Sequence, residues 1–135
     1  MSNTLRKAER FHSHKLIEKL FAEGKVWIKY PFRIVWMSLE EPKGPPAEVM
    51  ISVSKKKFKR ANKRNLLRRR TKEAYRQQKD KLYEFLELHH KRIAFAIIYL
   101  PAEELLYADI EKGMKKMLSK MIEELTSSFD EQQSE

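Results

Sequence analysis

Twelve lysine or arginine side chains and a single acid, Glu73, occupy residues 55–76, KKKFKRANKRNLLRRRTKEAYR. This stretch nets +11 in a chain whose total is +10, so the remainder is close to neutral. Ammonium and guanidinium groups in such density hold anions. Arginine dominates between residues 64 and 70, and guanidinium binds phosphate through paired hydrogen bonds and stacks on bases. A solvated charged helix normally mixes signs at i,i+4 spacing. One acid among twelve cations instead leaves a face whose self-repulsion a polyanion relieves.

Other chemistry is sparsely provided for. There is no cysteine, hence no thiolate nucleophile and no disulfide framework. No P-loop or Gly-rich phosphate cradle is present, and the acids fall mainly on predicted helices and the C-terminal tail without metal-ligand spacing. His12 with His14, and His89 with His90, are read as helix-end or surface histidines rather than ligands. The residues therefore describe a binder with no catalytic set of its own and no metal site.

The elements that must position the cations follow from periodicity. SHKLIEKLFAEG reads as a short helix capped by Ser13 and ended by Gly24, with Leu16, Ile17, Leu20 and Phe21 on one side. FRIVWMSL alternates, with Phe32, Ile34 and Trp36 on the core face and Arg33, Val35 and Met37 on the other. EEPKGPPAE is a loop. EVMISVS is a second strand, expected to pair with the first as an antiparallel hairpin. A long helix is expected from about Ala61 to His89. RIAFAIIYLP is apolar throughout, as in a strand covered on both faces. A last helix is expected over about Ala102–Leu125, with Leu106, Ile110, Met114, Met117, Met121 and Leu125 as its packed side. The acidic end, residues 127–135, is expected to be disordered, and residues 1–10 polar and mobile.

The order αββαβα makes one α/β (α+β) domain over residues 1–126: a sheet with helices packed on it in two layers. At about 100° per residue, Leu67, Thr71, Ala74, Tyr75, Gln78, Leu82, Phe85 and His89 share the side of the long helix that meets the sheet. Asn65, Arg68, Arg69, Lys72, Arg76 and Lys79 lie largely opposite. Arg64 falls near the edge of the packed side, with its stem on apolar surface and its head outward.

At SVSKKKFKRANKRNLLRRRTKEAYR the sequence resembles the protein subunit of bacterial ribonuclease P. The carrying residues are Ser52-Val53-Ser54-Lys55-Lys56, then Arg64-Asn65, Arg68-Arg69, Lys72, Ala74 and Tyr75. LRKAERFHSHKLIEKLFAEGK and AFAIIYLPA extend the likeness to roughly residues 5–122. The chain departs from the pattern at Leu66, where the family usually has arginine, and at Asn62, where a small apolar residue is usual.

The resemblance implies a mixed sheet with an unusual left-handed βαβ crossover around the basic helix. It also implies removal of the 5′ leader from precursor tRNA, with catalysis in a large RNA subunit that requires Mg2+. The implied RNA-subunit contacts are Lys55, Lys56, Lys59, Arg60, Lys63, Arg64, Asn65, Arg68, Arg69, Lys72 and Arg76. The single-stranded leader is expected in a cleft between the first helix and the sheet, at Ile17, Phe21, Arg33 and Val35. The family puts two aromatics on that helix; Phe21 matches one and Ile17 replaces the other. Phe21 has a competing reading as a core residue.

The partners expected are the ribonuclease P RNA and precursor tRNA. No apolar run reaches membrane-spanning length and no signal peptide opens the chain, so a soluble cytoplasmic protein is expected. The alternative is a general RNA-binding or ribosome-associated module with the same basic face. DNA-binding and membrane-surface readings rank lower, because the basic helix is committed to a sheet and its apolar side to the core.

Overall fold

A computed structural model describes residues 5–11 and 13–133. His12 and residues 1–4 lie outside the described residues. After a 3-10 turn at Lys7–Glu9 come α1 (His14–Glu23), β1 (Lys25–Lys29), β2 (Phe32–Leu39), β3 (Ala47–Val53), α2 (Ala61–Gln78), α3 (Asp80–Leu88), β4 (Arg92–Tyr99) and α4 (Tyr107–Gln133). The four strands form one mixed sheet in the order β1-β2-β4-β3.

β4 takes an interior place because it alone is apolar on both faces. Ile93, Phe95, Ile97 and Tyr99 enter the main core with Phe32, Ile34 and Trp36 of β2, under Leu67, Ala74 and Tyr75 of α2. From α4, Ile110, Met114, Met117, Met121 and Leu125 complete that core. On the far face, Ala94 and Ala96 join Val35, Phe11 and Leu20. The small alanines let α1 lie close to the sheet there. α1 ends where Gly24 approaches the strands: a Cβ at Gly24 would stand 2.4 Å from Leu20 O and 2.8 Å from Val35 Cγ1. At the other end Ser13 Oγ accepts from Leu16 N at 3.4 Å, the expected cap.

Five expectations are corrected. The hairpin of β2 with β3 does not form: β4 lies between them, antiparallel to β2 and parallel to β3. A strand buried on both faces gains most from an interior position, so it displaces the sequence-adjacent pairing. β2 instead pairs on its other edge with β1, a strand the periodicity concealed because four of its five residues are exposed.

The long helix is two helices, broken at Lys79. That residue was expected on the outer cationic arc, yet it is 3% exposed and paired with Glu9. α4 starts later than expected, leaving Leu106 exposed. It also continues through residues 127–133, where disorder was expected, because Phe129 stacks on Phe85 at 6.0 Å and is buried. Full burial of such a ring is worth roughly 1.5–3 kcal/mol. Residues 134 and 135 lie outside the described residues.

Candidate nucleic-acid interface

The cationic stretch is held as a loop and a helix fastened to each other. Ser54 Oγ accepts from Lys56 N at 3.2 Å and Lys57 N at 3.4 Å, and Phe58 N donates to Ser54 O at 3.0 Å. This turn leaves Lys55, Lys56 and Lys59 exposed. Arg64 reaches back rather than out: its Nη1 donates to Phe58 O at 2.8 Å and Lys59 O at 2.9 Å. It therefore sets the angle at which the loop meets α2. The helix begins at Arg60 with no side-chain cap. Its first N–H groups, with the positive end of the helix dipole, add to the cationic field.

Charge pairing divides the cations into two sets. Glu104 takes Lys63 at 2.8 Å and Arg70 at 3.5 Å, and the hydrogen bond from Lys63 holds its carboxyl below the usual range. Glu73 receives Arg76 Nε at 2.9 Å, with Gln77 also donating, which lowers its pKa to about 2. Among the described residues no carboxylate pairs with Lys55, Lys56, Lys59, Arg60, Arg69 or Lys72. Arg68 donates to Asn65 Oδ1, so the two side chains form one unit.

A cleft of about 720 Å³ opens beside this face, lined by Asn62, Asn65, Arg68, Arg69 and Lys72 on α2 and by Met50 on β3. Its other wall, with Arg10 and Phe11, is the N-terminal segment, which sequence reasoning missed. That segment adds to the open edge of β3: Arg10 bridges Val49, and Phe11 N donates to Val49 O at 3.3 Å. Arg10 Nε is buried with no hydrogen-bond partner among the described residues.

The anchor of that wall is Glu9, 6% exposed. It accepts from Lys79 Nζ, from Tyr83 OH at 2.6 Å and from Arg6 N at 2.7 Å. Burial alone would raise the Glu9 pKa, but the Lys79 and Tyr83 donors outweigh it and hold it below 4.5. Burial pushes the Tyr83 and Tyr75 hydroxyls upward. The only sequence signal for this anchor is one acid within the basic run LRKAERF.

The leader candidates are not brought together as expected. Ile17 is half-buried, while Phe21 is 47% exposed, which removes its reading as a core residue. Arg33 is exposed on β2. Val35 is fully buried beneath α1, in the cluster with Leu20, so it is not available to a ligand. Sequence reasoning missed Val26 and Ile28 of β1, which stand across from Val35 and Arg33 and are exposed on that same face.

The family model for Ribonuclease P matches residues 5–122. The chain belongs to the ribonuclease P protein family. The ribonuclease P protein component of Porphyromonas gingivalis is 32% identical over 124 residues, 92% of this chain and 90% of that protein. Among solved structures, a Staphylococcus aureus RNase P protein mutant aligns with TM-score 0.65 at 18% identity, over 85% of this chain and 89% of the other. The RNase P protein of Thermotoga maritima aligns with TM-score 0.64 at 20% identity, over 83% and 96%. These two share the fold. As a ribonuclease P protein component, the chain has a role in tRNA processing. Of the two departures from the family pattern, Leu66 is half-buried, and Asn62 puts an amide into the cleft.

Proposed function

We propose that this chain binds the RNA subunit of ribonuclease P through the 54–60 loop and the outer face of α2, and that the assembly removes the 5′ leader of precursor tRNA in the cytoplasm. The observation that carries this reading is the division of the cations. Lys63, Arg70 and Arg76 are matched by acids, whereas Lys55, Lys56, Lys59, Arg60, Arg69 and Lys72 have none among the described residues. A face left with that much uncompensated charge is suited to the phosphates of a structured RNA.

The polar side chains of the cleft are arginine, lysine and asparagine. They attract and orient phosphate, but none takes a proton from water at neutral pH. They also include no carboxylate for a hard cation, so we assign both the chemical step and the required Mg2+ to the RNA. The chain's part is to neutralise phosphates whose mutual repulsion opposes folding of the RNA and docking of the substrate, so that the assembly holds substrate more tightly and forms its Mg2+ sites at lower Mg2+. The leader is proposed to run over the α1 face, past Phe21, Ile17 and Arg33. The test is reconstitution with a bacterial ribonuclease P RNA and precursor tRNA at low Mg2+. Restored 5′ cleavage is expected; RNA activity unchanged by the protein would support a general RNA-binding module instead.

A further inference from the structure

A second cationic surface lies along α4 and the β1 edge of the sheet. Lys112, Lys116 and Lys120 follow one another at i,i+4 along the outside of α4, and they line a shallow depression with Lys115 and with Lys29 of β1. Among the described residues, no carboxylate pairs with any of these five. Like charges at i,i+4 cost helix stability. Lys120 Nζ lies 5.5 Å above the Trp27 ring, so its stem is held against β1.

Beside this depression, Lys112 and Lys116 also border a second hollow, with Tyr30 at its rim. Tyr30 is 63% exposed, in the two-residue turn between β1 and β2. The turn is fixed on α4 by a close approach: a Cβ at Gly113 would stand 2.3 Å from Pro31 Cδ and 3.5 Å from Tyr30 O. An outward aromatic ring is thereby held beside a row of ammonium groups.

We propose that this surface is a second RNA site, for single-stranded RNA, in which a base stacks on Tyr30 and the neighbouring phosphates lie on Lys112, Lys115 and Lys116. Exposed aromatics set among cations are the means by which proteins hold unpaired nucleotides without reading sequence. Lysine serves phosphate as a mobile point charge and lacks the planar fork that recognises a base edge. Asp109 at one end and Glu123 and Glu124 at the other bound the site, so it holds a short segment. The strand order puts β1 and β3 three spacings apart, about 14 Å. The cleft lined by Arg68 and Arg69 shares no lining residue with this depression, so nucleotides here are separate from those on that face of α2. The inference goes beyond the proposed function and does not depend on the α2 site.

The test is fluorescence anisotropy with a labelled eight-nucleotide oligouridylate at several salt concentrations, in the full chain and in an Arg68→Ala, Arg69→Ala background. In that background, Lys112→Gln, Lys115→Gln and Lys116→Gln together are expected to lower the log–log salt slope by about 2, at about 0.7 per lost single-strand contact. Tyr30→Ala is expected to weaken binding by about five- to 150-fold, the range of one lost stack. A duplex of the same length should compete poorly for the Tyr30-dependent binding, because its bases are already stacked. All four residues are exposed, so circular dichroism should be unchanged. Unchanged affinity and slope in the triple lysine variant would overturn the proposal. So would binding indifferent to Tyr30→Ala and equally competed by duplex, since that describes a diffuse cationic surface. Loss of RNA-subunit binding in the Arg68, Arg69 variant bears on the α2 site alone.

Discussion

Replacing Glu9 by glutamine removes the counter-charge of Lys79 where the two side chains are only 7% and 4% exposed. Tyr83 keeps an acceptor in the new amide, but the buried ammonium loses this carboxylate. Breaking a buried pair on one side costs about 3–5 kcal/mol. That is a large share of the roughly 5–15 kcal/mol that holds a domain of this kind together. Urea unfolding at pH 7 should show a lower midpoint and an unchanged slope.

The double variant Glu9→Gln, Lys79→Met should recover part of the loss, since it removes the buried ammonium together with its carboxylate. In the unmodified chain the same pair sets a pH dependence. The folded Glu9 pKa is depressed, so its contribution is complete above about pH 4.5 and disappears as pH falls through the folded value. A cost below about 1 kcal/mol for Glu9→Gln would refute this account. A double variant no more stable than the single would refute it equally, because it would mean that the buried ammonium is not the source of the loss.

Arg68→Ala with Arg69→Ala should weaken binding to the RNA subunit and flatten its salt dependence by about 0.7–0.9 per lost phosphate contact; circular dichroism should show the fold intact. Phe21→Ala should reduce the preference of the holoenzyme for precursor over mature tRNA by about 1–3 kcal/mol, the value of one base stack. Because Phe21 is exposed, its melting temperature should barely move. Phe129→Ala should cost about 3–5 kcal/mol by emptying a buried site, with faster hydrogen exchange over the last turns of α4.

What was legible in the sequence was whatever depends on near neighbours. The Ser13 cap, the Gly24 stop, the apolar stripe of α2 and the doubly apolar β4 each declare themselves within a few residues. The basic face was legible for the same reason, since charge and helical spacing are local. Three features were hidden because each answers to a distant partner. The helix breaks at Lys79 in favour of Glu9, 70 residues earlier in the chain. β1 exists because β2 offers it an edge, not because of its own alternation. α4 outlasts its acidic composition because Phe129 finds Phe85 and His89. On the α1 side of the sheet, strand alternation placed Val35 on the face it occupies. Only the depth of α1 shows that the helix covers it.

The interior placement of β4 sets an order of events during synthesis. β1 and β2 can close on each other as soon as both have left the ribosome, but β3 has no strand to join until Arg92–Tyr99 follows. Until then the apolar side of α2 has no completed sheet to rest on, and the segment carrying Arg10 can meet only a loose β3. The cationic loop is thus made early but given its shape late. A ribosome-bound chain stalled before β4 should carry the full positive charge of the loop without the arrangement that the folded chain gives it. The shape of the basic face then becomes a property of the folded chain, acquired when the last strand enters the sheet.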